Sequence, residues 1–563
     1  MHGWWALVLC AVVAACSGAG GAAKSAKSTR VIADVPDLAT PPPGDPVGRL
    51  AGARKAVYLF SQTGTGQRDP QVLQFSDAVL IRAWQKWDRG GQQASDYDFG
   101  YADAARAQGV SFVAGGTASV VFRDEDPAQF EDWATRDAQG NLVEHAYIVP
   151  GAHRASLANP SYRAHLLDYC KKQIDGGVDG VFLDEANAGY TGGTRWSWNG
   201  NEGYDDWFLA AFNAWLLAKH ATFTEADFIS TYGMTPDNVV KPGVDPGDLG
   251  RSFDYRYYLK AHGWDRWPAD PHNPLAAVYG QITGNRPDPS ADSFRERALL
   301  WYWRQLVADL REYARSRYGK EILVTSNGIF PWVDFNSLGL YEGNRDDDGQ
   351  EVQWVPLAGG HLDGARSLQA VYRKVRARSQ AVSGDVPLVL FLDWPTKTMD
   401  GYYALSLQEK KDFWRIFGAE AYANGLFYAL HLRTSMPAEP TATDSGVLDF
   451  LKEYAGFFRE HAAAFTATSP ADTAVTVSIP HVSASLSTGG GKTYLHLVNH
   501  NYAGGLIAKE GFTVTFPTAA APTAAVLQTP DAAGERALVV VATGGQATVT
   551  VDRLEAYDLI ELR

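Results

Sequence analysis

"GGVDGVFLDEANAGY", residues 176–190, decides how the rest of the chain is read. Val178, Val181, Phe182 and Leu183 make a near-continuous apolar run. Such a run marks a strand covered on both faces, as in a parallel sheet. It ends abruptly on two acids, Asp184 and Glu185. Parallel sheets bind ligands at the carboxyl ends of their strands, so charge at that point marks a candidate site.

Similar runs occur on both sides of it. Strands are expected at 54–60, 76–82, 109–115, 177–184, 320–326, 337–343, 386–393 and 424–431, with helical stretches alternating between them. In the helix at 161–174, Asn159 can cap, Pro160 fits the first turn, and Tyr162, Leu166, Tyr169, Cys170 and Ile174 share one face. Eight strands alternating with helices predict an α/β chain folded as a (β/α)8 TIM barrel; an open α/β sheet would give much of the same pattern. One connection is abnormally long. More than a hundred residues rich in Trp and Tyr separate Asp184 from the fifth strand. They either wall a cleft at the carboxyl face or form a helical subdomain that buries its own aromatics.

The pattern changes after a helix at 446–463. Alternating apolar and polar residues between Gly, Asn and Pro predict a C-terminal antiparallel β-sandwich, residues 466–563, which either binds carbohydrate or caps the barrel. At the other end, "ALVLCAVVAAC" is an apolar run of signal-peptide length, and Val13-Ala14-Ala15-Cys16 resembles a bacterial lipobox. The expected organisation is a lipoprotein signal peptide at 1–16 with Cys16 lipidated, a flexible linker at 17–50, a catalytic barrel at 51–465 and the sandwich. The "MHGWW" start carries no Lys or Arg, so ordinary secretion with cleavage near "GAGGAA" is the alternative. Either way the chain is exported, to the bacterial cell envelope or beyond it. Cys170 is then the single remaining thiol, so no disulfide framework is expected and Cys170 reads as a buried structural residue.

Composition narrows the partners. A net charge of -14 without a Lys/Arg cluster excludes a nucleic-acid partner, and leaves contact with a membrane only to the N-terminal anchor. Seventeen Trp and twenty-six Tyr could stack on sugar faces as well as fill cores. No P-loop, H-E-x-x-H or paired C-x-x-C occurs. "NRDDDG" at 344–349 opens like a calcium loop, but Val355 stands where the bidentate Glu belongs. No cofactor and no metal are expected.

The candidates for chemistry follow the barrel strands: Gln62, then Arg82 and Trp84, Asp184 and Glu185, Asn327, Glu342, Asp393 and His431. Acids at one end of several parallel strands converge. Glycosidic cleavage needs one carboxylic acid to protonate the leaving oxygen and one carboxylate to attack or to activate water, and Asp184 and Glu342 fit as that pair. Neighbouring strand residues point to opposite sides, so Asp184 and Glu185 share a sugar only where the strand has ended. Asp184 is preferred because it lies two positions from Phe182. Glu185 is read as binding a helix terminus or a second sugar hydroxyl, Asp393 as binding substrate or capping a helix, and His431, Trp84 and Trp87 as substrate contacts or core.

The segments "RDAQGN" (136–141) and "RASLANPSYRAHLLDYCKKQIDGGVDGVFLDEAN" (154–187) resemble bacterial glycoside hydrolases of the (β/α)8 type. In these an NP-x-Y/W-R helix start precedes a GxDGxFxD fourth strand bearing a catalytic or substrate-binding Asp. "DFNSLGLYEGN", residues 334–344, is similar in form to the acid/base strand of the dextranase and cycloisomaltooligosaccharide glucanotransferase family, where an all-β domain also follows the barrel. The resemblance covers about 54–460 and implies Asp184 as nucleophile, Glu342 as general acid/base and Asp393 as a third acid near the reacting sugar. The long insertion after Asp184 departs from the dextranase pattern. The expected activity is hydrolysis of O-glycosidic bonds in a poly- or oligosaccharide, by retention. Transglycosylation at the same site and a non-catalytic glycan-binding lipoprotein are the alternatives.

Overall fold

The computed structural model describes residues 50–61, 73–82, 102–145, 151–186, 190–191, 194–195, 202–235, 238, 253–266, 270, 272–280, 293–339, 368–391, 406–433 and 445–563. All eight expected strands are present: β1 Val57–Ser61, β2 Ala78–Arg82, β3 Ser111–Thr117, β4 Gly180–Asp184, β5 Leu323–Ser326, β6 Asn336–Gly339, β7 Leu388–Phe391 and β8 Phe427–Arg433. They form one sheet in the order β6-β7-β8-β1-β2-β3-β4-β5, and every pair is parallel.

The sheet closes on itself at β5 and β6. Their connection, residues 327–335, is shorter than the dozen or more residues a parallel crossover needs, so the two strands do not form a regular ladder. Isolated bridges from Ser337 to Asn327 and Gly328 join them instead, together with Ser337 Oγ donating to Ser326 O at 2.7 Å and Thr325 Oγ1 donating to Phe335 O at 2.7 Å. Asp334, fully buried, accepts from Val324 N at 2.7 Å and pairs with Arg311 at 2.8 Å.

Ring contacts cross the barrel. Phe60 of β1 stacks on Phe391 of β7 at 4.2 Å, and Phe182 of β4 meets Phe391 edge-on at 6.5 Å. These strands are not neighbours, so the rings fill the interior, and Phe182 points inward.

Among the described residues, the helices that alternate with the strands include α1 Ala102–Ala107, α2 Pro160–Asp175, α3 Phe294–Tyr318, α4 Leu368–Ser383, α5 Leu407–Ala423 and α6 Ser445–Glu460. In α2, Asn159 accepts from Ser161 N and Tyr162 N, Pro160 takes the first turn, and the expected face is buried with Gln173 added to it. Cys170 is fully buried there, which pushes its thiol well above the ordinary range.

Between β4 and α3 the described insertion holds short helices around its own aromatic core. Phe212 lies 5.0 Å from Tyr279, 5.2 Å from Phe294 and 5.6 Å from Tyr255. The described aromatics of the insertion thus bury one another.

Beyond α6 the C-terminal strands form a six-stranded and a four-stranded sheet, all antiparallel, with a separate core between them. The sandwich also packs on the barrel. Tyr494, Val498, Tyr502, Tyr557 and Leu559 belong to the barrel's hydrophobic cluster, and Tyr422, Phe458 and Tyr557 pile up at centroid distances of 3.8 and 6.0 Å. Glu420 of α5 meets His500 Nε2 at 2.9 Å and accepts from Ser483 Oγ at 2.6 Å and Asn424 Nδ2 at 2.7 Å. Burial alone would raise this carboxyl, but those bonds outweigh it and hold it below the ordinary range. Among the described residues no helix is long and apolar enough to cross a membrane.

Candidate functional site

β4 ends at Asp184, and its neighbours clamp that end on both sides. Ala118 N donates to Asp184 O at 2.6 Å from the β3 side, and Ser326 Oγ donates to Leu183 O at 2.6 Å from β5. Strand side chains alternate, so Asp184 shares the inward face of Phe182 one pleat nearer the mouth. Asp184 is 4% exposed, and its Oδ1 accepts from the backbone N–H of Glu185 at 2.9 Å.

Glu185 lies just past the strand with φ at 57°, in the left-handed region. The pleat therefore does not set its direction. Its side chain is 13% exposed and enters a polar cluster, with Oε2 3.1 Å from His145 Nε2 and 3.8 Å from Arg154 Nη2. Arg154 Nη1 also donates to Glu185 O at 3.5 Å.

Both partners sit on the connection between β3 and α2. Arg154 ends a short strand, Ala152–Arg154, that pairs antiparallel with Val120–Phe122, and His145 N donates to Ala152 O at 2.8 Å. The insertion supplies a further acid. Glu202 pairs with Arg295 at 2.9 Å, both buried, while Gly203 N donates to Thr135 Oγ1 at 2.9 Å. Asp205 caps the next helix through Phe208 N and accepts from Thr135 and Ser156.

Burial shapes the charges of this cluster. Glu185 is pushed up to about 7, because burial disfavours its anion more than Arg154 stabilises it. His145 is pushed down to about 3 by burial and then by Arg154, so its ring is neutral at neutral pH. It donates from Nε2 to ionised Glu185, or accepts there from the protonated acid. Arg154, 1% exposed, is lowered by burial and raised in turn by Glu202, Glu185 and Asp184. A buried guanidinium thus faces three carboxyls at the end of β4.

Parallel closure puts the carboxyl ends of all eight strands at one mouth. Asp184 and Asn327 each follow the Leu183–Ser326 pair by one residue, at the same level on neighbouring strands. Asn327 is buried, and among the described residues its Oδ1 accepts no hydrogen bond. The backbone of Arg82 ends β2, and that of His431 lies two residues before the end of β8. Gln62, Trp84, Trp87, Glu342, Asp393, residues 344–349, Cys16 and the rest of the signal and linker segments lie outside the described residues.

His145, Arg154, Glu202 and Arg295 are site residues that sequence reasoning did not single out. Arg154 carried no signal in the sequence, since only the fold buries it beside Glu185. His145 and Glu202 carried none, since tertiary packing alone buries them.

No protein-family model matches the sequence, and neither does any curated protein. Among solved structures, the chain is similar to a Paenibacillus sp. cycloisomaltooligosaccharide glucanotransferase complexed with cycloisomaltoheptaose, with a TM-score of 0.51 over 90% of this chain and 85% of that one at 9% identity. The likeness is one of fold. It matches, at that level, the resemblance of residues 334–344 to the dextranase and cycloisomaltooligosaccharide glucanotransferase family. A maltogenic alpha-amylase from Thermotoga neapolitana aligns with a TM-score of 0.47 at 10% identity, covering 90% of this chain and 99% of that one. An alpha-amylase from H.orenii aligns at 0.46 and 9%, covering 90% and 100%.

Proposed function

We propose that this chain is a glycoside hydrolase that cleaves O-glycosidic bonds of a poly- or oligosaccharide by a retaining mechanism. Asp184 carries the reading. It is a buried acid on the inward face at the carboxyl end of β4, with its backbone clamped from both sides and one carboxylate oxygen held by an amide. A nucleophile in a retaining enzyme needs that fixed geometry, because a carboxylate that must reorient before attack loses the advantage of proximity.

In this scheme Asp184 attacks the anomeric carbon as the glycosidic bond breaks, and Glu342 gives its proton to the leaving oxygen. Water then attacks the glycosyl ester, returning a proton to Glu342 and freeing Asp184. Asn327, at the matching position on the neighbouring strand, binds a substrate hydroxyl in this scheme, and Asp393, Arg82, Trp84, His431 and Gln62 are read as further substrate contacts. On the reading of residues 1–16 as a lipoprotein signal, the enzyme works at the cell envelope.

A second reading, transglycosylation, is favoured by the fold likeness to a glucanotransferase. In it an acceptor sugar replaces water in the second step. Proton NMR of the first products from a panel of neutral and amino-sugar polysaccharides tests both. Retained anomeric configuration with small products supports hydrolysis, and larger or cyclic products support transfer. An inverted first product contradicts the retaining scheme.

A further inference from the structure

We propose that Asn327 is a specificity-determining residue: its side-chain carbonyl accepts a hydrogen bond from the C2 hydroxyl of the sugar that Asp184 attacks, so that the enzyme takes sugars with a free hydroxyl at that carbon. This deepens the reading of Asp184 as nucleophile and rests on it.

Three observations converge. The first is direction. In the parallel ladder of β4 and β5, Phe182 pairs with Thr325 and Leu183 with Ser326. Paired residues share a face, and residues two apart along a strand return to it. Phe182 points inward, so Asp184 and Asn327 emerge side by side on the interior face, on strands about 4.8 Å apart. The second is rigidity. Ser326 Oγ donates to Leu183 O at 2.6 Å, Ser337 Oγ to Ser326 O at 2.7 Å and Gly328 N to Ser337 O at 2.6 Å, while Asn327 itself bridges Ser337. The backbone around Asn327 is thus tied to both neighbouring strands. The third is an unspent acceptor. Asn327 is 5% exposed, and among the described residues its Oδ1 accepts no hydrogen bond. A buried acceptor without a donor is costly, and folded proteins keep few. Beside an attacking carboxylate, a substrate supplies the donor.

Sugar chemistry names that donor. When Asp184 reaches the anomeric carbon, the ring atoms next to that carbon are C2 and the ring oxygen. The ring oxygen carries no hydrogen and cannot donate, whereas the hydroxyl on C2 can. An acceptor one strand from the attacking carboxylate therefore fits the C2 side of the sugar. The contact also serves the reaction. Positive charge builds on the anomeric carbon and ring oxygen in the oxocarbenium-like transition state, which makes the neighbouring hydroxyl a stronger donor. The bond is then stronger in the transition state than in the bound substrate, and only such a difference speeds the chemical step.

The test compares the wild-type chain and Asn327→Ala on aryl glycosides of the repeat unit of the polymer the wild type cleaves best, with the sugar at the cleaved bond unmodified, 2-deoxy or 6-deoxy. The substitution should lower kcat on the unmodified and 6-deoxy sugars by about a hundredfold and leave the 2-deoxy rate within about threefold of wild type. Comparing the two enzymes on one substrate cancels the intrinsic reactivity of the deoxy sugar. An equal loss on all three substrates would overturn the proposal, as would no loss on the unmodified one. A loss spared only on the 6-deoxy sugar would overturn it too, since Asn327 would then hold the C6 hydroxyl. Thermal unfolding adds a readout that needs no turnover. A carbonyl that accepts nothing within the protein can be removed cheaply, so the Ala variant should melt within about two degrees of wild type. Melting many degrees lower would overturn the proposal, since Asn327 would then be holding the fold. Should the wild-type chain cleave no glycoside and no polymer, the glycosidase reading fails and the inference falls with it; cleavage with the wrong deoxy-sugar pattern strikes the inference alone.

Discussion

Replacing Asp184 by Asn leaves the volume and the bond from Glu185 N in place but removes the attacking oxygen. Activity should fall by at least about 10^3-fold with the melting temperature unchanged. Glu185 makes a prediction with a sign. Its carboxyl, raised to about 7, keeps a proton in the folded chain that the unfolded chain releases nearer the ordinary carboxylate range. Stability should therefore fall as pH rises from about 4.5 through 7, by on the order of 3 kcal/mol, and Glu185→Gln should flatten that slope. Denaturant midpoints at pH 5 and pH 8 for both chains measure it; equal slopes would contradict the assignment. Arg154→Met removes the guanidinium that faces Asp184, Glu185 and Glu202, and should cost about 3–5 kcal/mol. Asp184 was legible because a hydrophobic run pointed to it. Arg154 and His145 were not, because the chain that carries them, from Ala118 to Asn159, comes to lie behind β4 only when the barrel closes.

At the scale of elements, β4 is held against β5 by close backbone approach. A Cβ on Gly180 would stand 2.5 Å from Leu323 O and 2.8 Å from Leu323 Cβ. Gly180→Ala should force the two strands apart, at a cost of about 1–3 kcal/mol, and lower kcat by shifting the end that carries Asp184. A variant as stable and as active as wild type would show that the strands yield freely. Strands such as β1, β4 and β7 were readable as apolar runs bounded by polar residues, although β6 is Asn-Ser-Leu-Gly, and α2 was readable because Asn159 and Pro160 mark its start. The β5–β6 seam was not readable. Its short connection looks like any loop, and the bonds of Ser337, Thr325 and Asp334 that replace a ladder join residues whose proximity is a product of closure. The insertion was ambiguous for a similar reason: an aromatic-rich sequence does not say whether its rings face a ligand or one another, and here Phe212 and its neighbours face one another.

The whole molecule behaves as two cores with shared walls. Tyr557 and Leu559 of the sandwich lie in the barrel's cluster, and Glu420 of α5 is buried against His500 and Ser483. Calorimetry should show one cooperative transition, and Glu420→Ala should split it or lower it; two transitions in the wild-type chain would mean the interface contributes little. Barrel and sandwich were both expected from the change of hydrophobic period near residue 466, but the interface depends on which helix faces which sheet, and periodicity is silent on that. Function is a property at this scale too, since closure brings the carboxyl ends of all eight strands to one mouth. The most direct test of the account is reducing-end release by the chain beginning at Ser17 across polysaccharides, with Asp184→Asn and Glu342→Gln alongside. The account predicts cleavage of at least one polymer, abolished by both substitutions in chains that melt like wild type. Undiminished cleavage by Asp184→Asn, or none by the wild-type chain on any polymer, would contradict it.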